Sequence, residues 1–271
     1  MVKDYHVLLP EAPYDAYVAR VMHVHFMAPV PPERLAPDGY IKLSIILSGV
    51  PLYHTEDGTS LPWGIGFAGH MFPERARYLS SAGPVHVVGL NFIPSGFYRL
   101  FGKPVNAFNE HFMAPEPLLA GQYEHLRKAL EEETDPAQRC AIALVPFAEM
   151  IDRALGEGET AMQRVERHIR ATHGQATTPE LAEIAGLSIR QLERRSVIEL
   201  GANPKTFSSI IRFNYAYQRM KELRKLDLDI ALQCGYYDES HMLRDLAYYL
   251  GGRSKQYVDL VRPVVDMNLG H

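Results

Sequence analysis

The chain has 271 residues, 46% of them hydrophobic and 22% charged, enough for about two globular domains of roughly 100–200 residues each. Its two cysteines, Cys140 and Cys234, argue against a disulfide framework or a structural zinc site and suit a reducing, cytoplasmic setting. No apolar run approaches the ~18 residues of a membrane span, and the opening MVKDYHVLLPEAPYD lacks the basic start and apolar stretch of a signal peptide, so no membrane association is expected.

Up to about residue 110 the chain reads as strands and turns. YVARVMHVHF, YIKLSIILSGV and PVHVVGLNFI are rich in β-branched and aromatic residues. PPERLAPDG, TEDGTS and SSAG separate such runs with Pro, Asp and Gly turn chemistry. Short strands at this spacing predict an antiparallel barrel or sandwich. From about 117 the pattern turns helical, in LLAGQYEHLRKALEEE and PAQRCAIALVPFAEMIDRAL, where Leu126, Leu130, Ile142, Val145 and Met150 supply apolar surface. Those helices are expected to brace the barrel and to offer a dimer contact. GEGET (156–160) reads as a linker, and everything beyond it reads as helix.

The helical part contains one plan twice. In PELAEIAGLSIRQLERR an apolar helix ends at Gly186, and Ser188 is placed to cap the next helix. DIALQCGYYDESHMLRDL repeats this, with Gly235 in the turn and Asp238 as the cap. Between them PKTFSSIIRFNYAYQRMKELRK predicts a helix of about 20 residues, about 30 Å long at 1.5 Å per residue. That length approaches the 34–36 Å between successive major grooves on one side of a duplex. Residues 188–225 carry nine Lys and Arg against three Asp and Glu inside a chain of net charge −4, a local excess that favours a polyanion.

These residues resemble the AraC/XylS family of bacterial transcription regulators over about 160–262, in LAEIAGLSIRQLERR, ELGANPKTF and IALQCGYYDESHMLRD. PDGYIKLSIILSG and PVHVVGLNFIPSGFYRLFG more softly resemble the cupin-like sensor domain of one branch of that family. The resemblance implies a multidomain α+β chain. Residues 1–155 would be a cupin-like antiparallel β-barrel with bracing helices, for sensing and dimerisation, and 160–271 an all-α double helix-turn-helix. It further implies a homodimer or ligand-switched regulator, usually an activator. The expected partners are double-stranded promoter DNA, a small-molecule effector of unknown identity and, for an activator, RNA polymerase.

Carried onto this sequence, the first recognition helix would show Arg190, Glu193 and Arg194 to the groove, with Gln191 and Arg195 beside them for phosphates. Helical geometry agrees, since 190, 193, 194 and 197 share a face opposite Ile189 and Leu192. An arginine fork at Arg194 can hold guanine O6 and N7 together. The second helix would present Glu239, Ser240, His241 and Arg244. This chain departs from the family at Ser196, where a core phenylalanine is usual, and at Ser254, where proline is. Met242 and Leu246 replace aromatics, and Ala247 and Tyr248 thin the polar face.

Other chemistry is thinly signalled. His23 and His25 share a strand face, but the nearest carboxylate, Glu33, lies beyond APVPP and fails the spacing of a cupin metal site. No metal or cofactor is therefore expected. His54, His70 and His86 are further imidazoles whose meeting in space the sequence leaves open, and Tyr53 and Trp63 are candidate pocket residues. No phosphate-binding loop, dinucleotide fingerprint or nucleophile elbow is present. A transcription regulator rather than an enzyme is the reading. A cupin-type metalloenzyme with a helical tail, or an interaction module with a degenerate helix-turn-helix, stand as alternatives.

Overall fold

The computed structural model describes residues 2–251 apart from 56–57, 63–65, 76 and 120. Trp63, Ser254 and the end of the expected second domain lie outside the described residues.

Ten strands form two antiparallel sheets among these residues. They are β1 (Val2–Leu8), β2 (Val18–Phe26), β3 (Val30–Arg34), β4 (Ile41–Ser48), β5 (Pro51–Thr55), β6 (Ser60–Pro62), β7 (Gly66–Ala68), β8 (Arg77–Ser81), β9 (Val85–Phe92) and β10 (Phe112–Met113). One sheet runs β1-β2-β9-β4-β7-β10 and the other β3-β8-β5-β6. The expected barrel is thus realised as two facing sheets, and no ladder closes it among the described residues. Of the edge strands, β6 and β10 have only 3 and 2 residues, too few to carry pairing from one sheet into the other.

Alternation along β4 shows how the sheet is covered. Ile41, Leu43 and Ile45 are fully buried on one face, with Val88, Leu90 and Phe92 of β9 beside them. Helices cover that face: α1 (Pro94–Phe101), α2 (Glu116–Leu119), α3 (Gln122–Glu132) and α4 (Pro136–Gly156). Within α4 the buried row is Cys140, Ala143, Phe147, Ile151 and Ala154. Burying a Phe or Ile side chain contributes about 1.5–3 kcal/mol, so this helix is bound firmly to the sheet. Of the apolar residues expected to brace the barrel or offer a dimer contact, Leu126 and Leu130 are buried, Ile142 packs partly buried on the same core, and Val145 points outward and is 67% exposed. The opposite face of the sheet, with Met22, Val24 and Phe26, packs on Val30, Tyr53 and Leu79 of the second sheet.

Six further helices follow among the described residues: α5 (Ala161–Ala171), α6 (Thr178–Ala185), α7 (Ile189–Glu199), α8 (Pro204–Leu223), α9 (Leu228–Gln233) and α10 (Glu239–Leu250). They hold two apolar cores. One gathers Met162, Val165, Ile169, Leu181, Leu192 and Phe207, and the other Phe213, Tyr217, Met220, Ile230, Met242 and Leu246. Because α8 carries Phe207 into the first and Phe213 into the second, it is the common beam of both. No helix is long and apolar enough to cross a membrane among the described residues.

Candidate nucleic-acid interface

The first helix pair is defined by caps at three of its four ends. Thr177 and Glu180 make a reciprocal capping box at the start of α6, with Pro179 in the first turn. Gly186 ends that helix in the left-handed region at φ 66°. Ser188 and Gln191 then make a second box that starts α7. Leu192 turns into the core, and Arg190, Gln191, Glu193, Arg194 and Val197 face solvent.

The exposed side chains differ in freedom. Arg190 and Arg194 make no ion pair with any described residue. Gln191 is tied into the cap, its Oε1 accepting from the Ser188 backbone N–H at 3.0 Å. Arg195 is half-buried, and its Nε donates to Glu199 at 2.6 Å. Ser196 is fully buried and its hydroxyl has no partner among the described residues.

The second pair follows the same plan with different contacts. Asp227 caps α9, and Asp238 caps α10 by accepting from the His241 N–H at 2.6 Å. Between them Gly235 adopts φ 77°, and a Cβ there would lie 2.6 Å from the Gln175 side chain. Glycine is required here on both counts, for the turn and for the close approach.

Ser240 and Arg244 are exposed, while Glu239 and His241 are half-buried, the His241 ring edge-on to Tyr236 at 5.1 Å. Asp245 pairs with Arg212 at 3.7 Å, and Arg212 lies over the Tyr236 ring at 4.9 Å. Tyr248 donates its hydroxyl to Glu74 of the β-rich half. Arg244 is therefore the basic group that α10 shows to solvent.

The imidazoles group differently from the sequence expectation. His54, His70 and His86 do not meet: His54 bonds Ser60 and Ser80, and His70 reaches Leu200. The register that pairs His25 with His86 and His6 with His23 sets four histidines on one sheet face. There His23 Nε2 lies 2.5 Å from His86 Nε2, and Arg139 Nη1 lies 3.2 and 3.1 Å from the two. Burial first, then His23, Arg139 and His25, push His86 down to about 4. Two imidazoles at hydrogen-bond distance and a guanidinium beside both describe this cluster, and a guanidinium at its centre repels a metal cation. No group of three or more His, Cys, Asp or Glu is placed to hold a metal among the described residues. Tyr53 is buried, its hydroxyl directed at Met71 Sδ at 3.9 Å.

No family model and no curated protein matches the sequence. Among solved structures, the chain is similar to ToxT from Vibrio cholerae in its P21 form, with TM-score 0.48 and 10% identity over 94% of this chain and 98% of that one. It is similar also to the unsaturated fatty acid-bound ToxT of the same organism, with TM-score 0.47 and 11% identity over 94% of each chain. The AraC-like transcriptional activator CuxR aligns at TM-score 0.30 and 16% identity, over 75% of this chain and 83% of that one.

Sequence reasoning missed the groups that join the two halves. His70 donates Nε2–H to the Leu200 carbonyl at 2.8 Å, Asn109 donates to the Gly201 carbonyl at 2.7 Å, and Glu166 accepts from the Ser95 N–H at 2.8 Å. Arg170 donates to the Gly39 carbonyl at 2.5 Å and stacks over Tyr40 at 4.5 Å. Each is a single polar residue whose partner lies far along the chain, which has no periodic signature.

Proposed function

We propose that this chain is a sequence-specific, cytoplasmic transcription regulator of the AraC/XylS type and not an enzyme. The observation that carries the reading is the beam α8. It is 20 residues long, about 30 Å, and each end packs against one capped helix pair. A beam of that length can hold two recognition helices toward successive major grooves, which lie 34–36 Å apart.

On this reading α7 enters one groove, with Arg194 forked on a guanine and Arg190 and Glu193 flanking it. Helix α10 enters the next with Ser240 and Arg244, and with Glu239 and His241 at its shoulder. Gln191 and Arg195 border the backbone phosphates. Residues 1–155 serve as sensor and 160–271 as DNA-binding unit.

The apolar cleft between the sheets, about 90 Å³ and walled by Met22, Val24, Phe26, Val30 and Leu79, receives a small apolar effector. A second copy docks on the outer face of α4 around Val145, and RNA polymerase is the further partner if the protein activates. The test is selection of bound fragments from the host genome, followed by salt titration on the selected duplex. Affinity should fall steeply and linearly on a log–log plot as salt rises. Flat, salt-insensitive or undetectable binding by the full chain overturns the reading.

A further inference from the structure

We propose that residues 68–74 form a strap that couples the interior of the β-sandwich to both helix-turn-helix units at once. As the chain leaves β7, its side chains are shared among three regions. Ala68 and Met71 lie in the core between the sheets, with Met22, Val24, Phe26 and Val30, the residues that wall the apolar cleft. His70, 1% exposed, turns the other way and donates to the Leu200 carbonyl where α7 ends. Phe72 packs against both helical cores. Glu74 accepts the hydroxyl of Tyr248 on α10.

A second segment secures the strap. The His70 N–H donates to Asn109 Oδ1 at 3.0 Å, and the same amide's Nδ2 donates to the Gly201 carbonyl. The Phe72 N–H donates to Glu110 Oε1 at 2.5 Å. Gly201 sits at φ 81°, and a Cβ there would fall 2.8 Å from Val105 and 2.9 Å from His70. The two halves meet there with no room for a side chain.

The consequence is mechanical. Close-packed interiors transmit displacement rather than absorb it. Met71 packs in the same core as Met22, Val24, Phe26 and Val30, so a group that fills the cleft and displaces those walls shifts Met71, and with it His70 beside it and Glu74 three residues on. Those two hold the ends of different recognition helices, so their movement changes the angle between α7 and α10. The purpose of the strap rests on the DNA-binding reading, but the coupling is measurable without DNA.

Hydrogen exchange on the full chain tests it, read at amides 196–202 and 246–250. Glu74→Gln and Tyr248→Phe should each raise exchange in 246–250 by about 3–10-fold, the factor that matches the net worth of one hydrogen bond, and leave 196–202 unchanged. Met71→Leu, which conserves volume, should raise it in both segments. Leu126→Val, in the core on the other face of the large sheet, controls for general loosening and should raise neither. If Met71→Leu alters only its sandwich neighbours, or Leu126→Val raises both segments as much, the strap is overturned. A wild-type chain without salt-dependent duplex binding would overturn the DNA reading instead, and the exchange pattern would still decide the strap.

Discussion

The two helix-turn-helix units share a plan and differ in what surrounds their second helices. Helix α7 projects Arg190, Glu193 and Arg194 into solvent, with no ion pair to the β-rich half among the described residues. Along α10 the corresponding surface is engaged. His241 packs on Tyr236, Asp245 pairs with Arg212, and Tyr248 reaches Glu74. The same local grammar thus yields one helix dressed for an external partner and one whose side chains are largely committed within the molecule. Local sequence specifies the turn and its caps; the neighbours decide what the second helix has left to offer.

The largest effects should come from the cores beneath these helices. Leu192 and Met242 are each fully buried, in separate clusters that share only α8 and the edge of Phe72. Truncating either to alanine should cost about 2–5 kcal/mol by chemical denaturation. Exchange protection should tell them apart, with Leu192→Ala loosening α6 and α7 first and Met242→Ala loosening α9 and α10. Equal loosening of all four helices would mean that the units fold as one body.

Next in size is the contrast in DNA binding. Arg194→Ala should cost about 1–3 kcal/mol on the selected duplex and relax preference at one base position. Arg244→Ala should cost less and leave the preference in place, because carboxylates Asp238, Glu239 and Asp245 surround that arginine in sequence. Both variants are compared at one salt concentration against the selected and a scrambled duplex. A greater loss of discrimination in Arg244→Ala would make α10 the principal reader.

Acid should separate the units without any mutation. Burial lowers the pKa of His70 below its usual 6.5, so its charged form is favoured when the contact with Leu200 is open. The stability it contributes is present above about pH 6.5 and is lost as pH falls from there toward the depressed folded value. Exchange at 196–202, corrected for the intrinsic rate, should therefore rise between pH 7.5 and 5.5 more than at 246–250. Replacing His70 by Gln should remove that difference.

Much of the scaffold was legible because its signals are local. Period-two runs such as YIKLSIILSGV became β4, and Ser188 and Asp238 were readable as caps because a cap is set by its next three residues. The beam was readable from its length. What escaped depends on distance along the chain: His70 and Leu200 are 130 residues apart, Glu74 and Tyr248 174, His23 and His86 63. The inward face of α4 escaped for another reason. Apolar residues lie on several of its sides, and the sheet selected the row whose small Ala143 permits close approach over the row containing Val145. Which α7 and α10 side chains touch DNA remains the proposal made above, and the substitutions at Arg194 and Arg244 decide it.

The smallest effect concerns Ser196, and its sign is the informative part. The side chain is fully buried in α7, and its hydroxyl finds no partner among the described residues. An unsatisfied buried hydroxyl carries a desolvation cost with nothing to offset it, and serine is also a weaker helix former than alanine. Removing one oxygen leaves only a small void beside Leu192 and the end of the helix. Ser196→Ala should therefore stabilise the chain, by about 0.5–1 kcal/mol, in contrast to every truncation in the second unit, where Met242 and Leu246 fill their core. Denaturant midpoints for Ser196→Ala and Leu246→Ala, measured together, should move in opposite directions. A destabilised Ser196→Ala would place the hydroxyl in a bond to the carbonyl one turn back.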